Sequence, residues 1–102
     1  MTTERQIELR LLKWAKKHHG HCYKFSSPGR RNVPDRICIF PNKKIVFIEC
    51  KAPGKKPSDG QLREIERLRK FRCDVRVVST FEDIERMDRE MENPSELWRK
   101  LI

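Results

Sequence analysis

Three charged residues stand at the ends of two apolar, β-rich runs in this chain. The run Val33-Pro34-Asp35-Arg36-Ile37-Cys38-Ile39-Phe40 holds Asp35, and Ile45-Val46-Phe47-Ile48-Glu49-Cys50-Lys51 holds Glu49 and Lys51. Between them, Pro41-Asn42-Lys43-Lys44 has the composition of a hairpin turn. A hairpin centred near Asn42 sets Asp35 across from Glu49. Glu49 and Lys51 are two residues apart, so they share one face of their strand, ~6–7 Å apart along it. Two carboxylates and an ammonium then converge on one spot of a sheet edge, an arrangement that binds a divalent metal and acts on phosphate. For any one of these residues, a solvated strand end or a weak surface ion pair is the simpler account. Jointly that account weakens, because like charges directly opposite each other destabilise a sheet. A bound cation reverses the penalty and keeps both carboxylates ionised. Mg²⁺ is the natural candidate, since it is held by one or two carboxylates and leaves its other positions to water and substrate phosphate. Lys51 would then orient or deprotonate the attacking water, or offset charge in the transition state.

The elements that must position these groups follow from periodicity and punctuation. Thr3 is an N-cap for a first helix in which Ile7, Leu11, Trp14 and Ala15 recur at helical spacing, and Gly20 ends it. His21 to Ser26 reads as a short strand, and Ser27 to Val33 as a loop rich in turn residues and positive charge. In the hairpin, Ile37 and Ile39 point one way and Cys38 and Phe40 the other, while Ile45 and Phe47 oppose Val46 and Ile48. Both faces are apolar, so helices should cover both. Ala52 to Pro57 is a basic loop, after which Ser58 caps a second helix with Leu62, Ile65, Leu68 and Phe71 on one side. Val75 to Ser79 is a last strand, and Thr80 caps a third helix with Phe81, Ile84 and Met87 turned inward. The long helical link from the Glu49 strand to the Val75 strand suits a crossover and parallel pairing. The expected fold is α/β, with a central four-stranded mixed sheet in an α/β/α core. Residues 1–92 form the domain and 93–102 a C-terminal tail, docked on the core or used in dimer contact.

Composition bounds the partners. At 102 residues the chain is one domain, and its 24 Lys+Arg against 15 Asp+Glu give a formal charge of +9. That excess points to a polyanion, nucleic acid being the commonest. Lys24, Arg30, Arg31, Lys55 and Lys56 lie in segments flanking the charged strand ends and are candidates for phosphate contacts that position DNA without reading bases. Trp14 and Trp98 read as core or interface residues. Cys22, Cys38, Cys50 and Cys73 form no CxxC pair, and Cys38 and Cys50 fall in strand runs where cysteine behaves as a small hydrophobe. With no signal peptide or membrane-length apolar run, a reducing cytoplasm is the expected setting, without membrane association. His18, His19, His21 and Cys22 lack a second ligand pair at finger-like spacing, so a solvated helix end is expected there and not a zinc site.

The pattern Pro34-Asp35, thirteen residues, then Glu49-Cys50-Lys51 resembles the PD-(D/E)xK nuclease motif. The surrounding text resembles the VRR-NUC (virus-type replication-repair nuclease) branch: Tyr23-Lys24-Phe25-Ser26-Ser27-Pro28-Gly29-Arg30-Arg31 leading into Val33-Pro34-Asp35, then Glu49-Cys50-Lys51-Ala52-Pro53-Gly54 and Ser58-Asp59-Gly60-Gln61. Asn32 replaces the usual glycine after the arginine pair and also tolerates φ > 0. The resemblance spans roughly Thr3 to Glu85 and implies a restriction-endonuclease-like core. It implies Asp35 and Glu49 as metal-binding carboxylates, the Cys50 carbonyl as an added ligand, and Lys51 as the catalytic lysine. Gln61 matches the family's glutamine, which positions water or metal. Glu4 matches its first-helix acid, with Glu8 one turn further along the same face; Glu8 and Ser27 complete the candidate set. The implied activity is Mg²⁺-dependent hydrolysis of DNA phosphodiesters, Mn²⁺ able to substitute. The implied form is a homodimer similar to a Holliday junction resolvase, acting on branched DNA and of phage type, in the cytoplasm of a bacterial host. The alternatives are a flap or restriction-like nuclease acting on other DNA structures, and a non-catalytic DNA-binding module.

Overall fold

The computed structural model describes residues 1–92, so the expectation for the 93–102 tail lies outside the described residues. The first helix, α1 (Glu4–Lys17), starts at a capping box: Thr3 Oγ1 accepts from the Gln6 N–H, and Gln6 Oε1 accepts from the Thr3 N–H. Ile7, Leu11, Trp14 and Ala15 recur every three or four residues and are all buried. The helix stops where His19 takes φ +63°. At Gly20 a side chain would collide with the Phe40 ring and the Ile39 carbonyl.

Four strands follow as one sheet in chain order: β1 (His21–Lys24), β2 (Arg36–Ile39), β3 (Ile45–Cys50) and β4 (Asp74–Val78). The β2–β3 hairpin closes through Phe40 N–H to Lys44 O (3.0 Å), with Lys43 at φ +67°. Its register pairs Arg36 with Ile48 and Ile39 with Ile45, so one step further out Asp35 faces Glu49, as the turn position requires. β3 and β4 are parallel, linked by α2 (Asp59–Lys70); α3 (Phe81–Glu92) follows β4. Mixed sheet, crossover and helix order all match the expected α/β fold.

The core lies on one face of the sheet. Cys22, Cys38, Val46, Ile48, Cys50 and Val78 pack there against Ile7, Leu11 and Trp14 of α1 and Ile84 and Met87 of α3. The far ends of α1 and α3 are tied by Lys17 Nζ, 2.8 Å from Asp88 and 2.7 Å from Glu92, and by His18 Nε2, 2.6 Å from Asp88.

Two expectations are corrected. The opposite face is only partly covered, because α2 packs mainly on β4, where Ile65 and Val75 are buried. One helix about 10 Å across spans roughly two strands at ~4.8 Å spacing, so Tyr23, Ile39 and Ile45 on β1–β3 stay 54, 42 and 46% exposed. Leu62 and Phe71, expected on the same side of α2 as Ile65, are exposed as well. The second correction concerns Cys38. Register places Cys22 directly opposite it, with Cα atoms 4.0 Å apart, and the two form a disulfide, leaving Cys50 and Cys73 free. The spacing of cysteines along the chain carried no sign of this, since pairing depends on the β1–β2 register. Thiol titration of the unfolded, non-reduced protein should find two reactive cysteines, and four after reduction. Closing a sixteen-residue separation should be worth about 3 kcal/mol, read as the stability lost on reduction.

Candidate active site

Asp35 leads into β2 after buried Pro34, and one of its carboxylate oxygens, Oδ1, accepts from the Cys50 N–H at 3.0 Å. Its own carbonyl accepts from the Phe25 N–H at 2.9 Å, so the residue is fixed from both neighbouring segments. Glu49 is 3% exposed at the end of β3. Its Oε1 accepts from Gln61 Nε2 at 3.0 Å and lies 3.6 Å from Lys51 Nζ, while its Oε2 is buried without a partner. Lys51 extends the parallel ladder by donating its N–H to the Val78 carbonyl (2.9 Å), which keeps it on the same side as Glu49.

Gln61 serves two structures at once. As the third residue of α2 it closes a capping box with Ser58, its Oε1 accepting from the Ser58 N–H at 2.9 Å and its N–H donating to Ser58 Oγ at 3.2 Å. With the amide oxygen committed to the helix cap, only the NH₂ end can face Glu49.

The electrostatics are those of two carboxylates held close together and partly desolvated. Burial and the nearby Asp35 charge push the Glu49 carboxyl up to about 7. Asp35 is raised too, chiefly by burial, with the charges of Glu4 and Glu8 adding to it and the hydrogen bond from Cys50 opposing. Both first-helix acids therefore act on the site. Glu4 is exposed; Glu8 is half-buried, 3.5 Å from Arg5 and 3.9 Å from the buried Arg36 guanidinium. Burial pushes the Cys50 thiol up as well, so its side chain stays protonated and only its main chain is available as a ligand. An orphaned, buried carboxylate oxygen beside a second carboxylate is a hard-oxygen donor pair of the kind that takes a small divalent cation.

Among the described residues, one other group of potential ligands converges, His18, Asp88 and Glu92. Lys17 already neutralises both of its carboxylates, so it is an ion-pair clasp between α1 and α3. Cys22, from the neighbouring histidine-rich segment, is in the disulfide.

The basic candidates divide. Lys24, Arg31, Lys55 and Lys56 are exposed, and the Ala52–Lys55 turn places Gly54 at φ +83°, where a side chain would be strained. Ser27 is half-buried and pairs through its backbone with Arg30. The Arg30 guanidinium does not point free: its Nε lies 2.6 Å from Oε2 of the buried Glu64. Glu64 and Arg36 are the residues that sequence reasoning missed. Arg36 opens β2 inside an apolar run, and Glu64 stands beside Ile65 on the buried side of α2.

The comparisons with known proteins follow this geometry. Residues 2–82 match the sequence profile of the VRR-NUC domain. The chain belongs to the VRR-NUC family. It is 57% identical over 65 residues to "Putative nuclease p44" of Acyrthosiphon pisum secondary endosymbiont phage 1, covering 64% of this chain and 70% of that protein. A solved structure described as a VRR_NUC domain superposes with a TM-score of 0.78 at 32% identity, covering 84% of this chain and 95% of that one. This VRR-NUC domain is thus a nuclease domain of phage type.

The raised Glu49 carboxyl has a consequence for stability. Between its unfolded value near 4.5 and about 7 the folded protein holds more protons than the unfolded one, so stability falls as pH rises through that window. Thermal unfolding in chelator should show the melting temperature declining from about pH 5 to about pH 8. Glu49→Gln should flatten much of that decline, and an unchanged slope in the variant would contradict the assignment.

Proposed function

We propose that this VRR-NUC domain is a metal-dependent DNA endonuclease that hydrolyses phosphodiester bonds in branched DNA as a homodimer, in the manner of a Holliday junction resolvase. The observation that carries the hydrolytic reading is the Asp35–Glu49 pair, half-buried and buried respectively, with Glu49 Oε2 unpartnered and the Lys51 ammonium 3.6 Å from Oε1. Asp35, Glu49 and the Cys50 carbonyl would hold Mg²⁺, with Mn²⁺ able to replace it. When bound, the ion supplies Lewis-acid polarisation of the phosphate and acidifies water.

The chain's own residues do the rest. Lys51 sets a positive charge beside Glu49, where negative charge grows on the phosphate oxygens. Gln61 donates one amide hydrogen to Glu49 and keeps a second for a water or a substrate oxygen. Glu4 and Glu8 deepen the negative potential that retains the cation. Lys24, Arg31, Lys55 and Lys56 are exposed and suited to the DNA backbone, and a net charge of +9 favours its approach.

Support for the dimer comes from the uncovered apolar patch of Tyr23, Ile39 and Ile45, with Ile39 and Ile45 directly paired across strands. A second copy placed there by a two-fold axis would cover it and bring two sites to one junction. The phage origin of the relative supports action in the cytoplasm of a bacterial host, where the Cys22–Cys38 pair would be held reduced until the protein is oxidised on isolation. No helix of the described residues is long and apolar enough to cross a membrane.

The purified protein, offered four-way junctions, flaps and linear duplex side by side with Mg²⁺, Mn²⁺ or chelator, should cut the junction best and only with metal. Lys51→Ala or Asp35→Ala should abolish cleavage while leaving DNA binding largely intact. Preference for flaps or linear duplex would replace the junction reading. No cleavage of any substrate by the wild type would reduce the protein to a binding module. The solution mass should be that of a dimer, and the double substitution Ile39→Lys, Ile45→Lys should halve it without loss of helix content.

A further inference from the structure

We propose that Glu64 is a positioning residue of the nuclease: it holds Arg30, and through it the whole basic loop, against the helix that carries Gln61. The proposal rests on DNA being the substrate. Glu64 lies one turn after Gln61 on α2, and its side chain is 5% exposed. A buried carboxylate is costly unless each oxygen is matched, and here each has a cation. Oε2 accepts from Arg30 Nε at 2.6 Å, and Oε1 lies 3.5 Å from Arg67 Nη1.

Arg30 belongs to a loop that has other anchors. Its N–H bonds to the Ser27 carbonyl, and the loop begins where Phe25 N–H donates to the Asp35 carbonyl. Two residues beyond Arg30, Asn32 at φ +67° packs onto Gly60, where an added Cβ would lie 2.6 Å from Asn32 Nδ2. The loop is thereby held against the first turn of α2 at Gly60 and against its second at Glu64. Gln61 lies between those two points and reaches Glu49. One rigid unit results, in which the loop, the glutamine and the carboxylate pair keep a fixed relation.

Such a tie gives the two arginines different jobs. Arg30 is spent on Glu64, which leaves exposed Arg31 to meet phosphate at a defined distance from Asp35 and Glu49. A loop held in place meets the backbone without an ordering cost at binding. Released, it would pay that cost and lose a phosphate contact.

The test uses Glu64→Ala, Arg30→Ala and the double variant. Binding of a fluorescent duplex and a four-way junction is measured in chelator over a range of salt, beside steady-state cleavage in Mg²⁺. The expected result is a KM raised roughly tenfold in each variant with kcat little changed, since the groups at the scissile phosphate are untouched. The slope of log affinity against log salt should fall by about one. The double variant should be no worse than either single one, because both remove the same tie. Arg30→Ala alters an exposed loop residue and keeps the test available if Glu64→Ala folds poorly.

Tighter binding by Glu64→Ala would overturn the proposal, since it would mean that Glu64 merely masks a phosphate-binding Arg30. A lower melting temperature with unchanged affinity and salt slope would overturn it as well, leaving Glu64 a packing residue. Additive losses in the double variant would do the same. If the wild type bound and cut no DNA, the DNA reading itself would fall and this proposal with it; wild-type activity with indifferent variants would sink the proposal alone.

Discussion

The arrangement that governs this molecule is the forced proximity of two carboxylates. The β2–β3 register puts Asp35 opposite Glu49, and that register is fixed by a four-residue turn and by the alternation of side chains between the faces of the hairpin. A slip of one residue would send Val46 and Ile48 out of the core, which is a far larger loss than the repulsion between two acids. Apolar burial therefore imposes a pairing that electrostatics resists. The resistance is visible in the raised carboxyl of Glu49 and in its unpartnered oxygen. The neighbouring elements meet at this point of tension: α1 through Glu4 and Glu8, α2 through Gln61, and β4 through the Val78 carbonyl that fixes Lys51.

The layering of the domain follows from the same division of labour. The face carrying Val46, Ile48 and Cys50 is closed by α1 and α3 and supplies most of the packing energy. The face carrying Glu49 and Lys51 is left largely to α2, which packs mainly on β4 and leaves the β1–β3 part of that face uncovered. Exposed Ile39 and Ile45 lie on that open side.

Much of this was legible because it depends on short-range pattern. Helical spacing of Ile7, Leu11, Trp14 and Ala15 marks α1, and the Pro41–Lys44 turn sets the hairpin register from which Asp35 meets Glu49. The motif residues could be read as a constellation for the same reason. What could not be read depends on pairings between segments whose relative placement no local pattern encodes. The Cys22–Cys38 disulfide needs the β1–β2 register, across a loop whose length does not fix it. The exposure of Leu62 and Phe71 reflects where α2 sits on the sheet, which amphipathicity alone leaves open. Glu64 and Arg36 were hidden because a charge in an apolar stripe looks like surface until its partner, Arg30 or Glu8, is seen. Ordinary solvent-facing charge and a buried ion pair have the same letters.

The double engagement of Gln61 has one more implication. The side chain that restrains Glu49 is also half of the lock on the first turn of α2, so the readiness of the site is tied to helix fraying. If that turn frayed, the amide would swing away and Glu49 would lose a neighbour. Fraying at the N-terminus of α2 would thus lower the fraction of molecules poised to act. Amide exchange at Ser58 and Gln61 would be its clock.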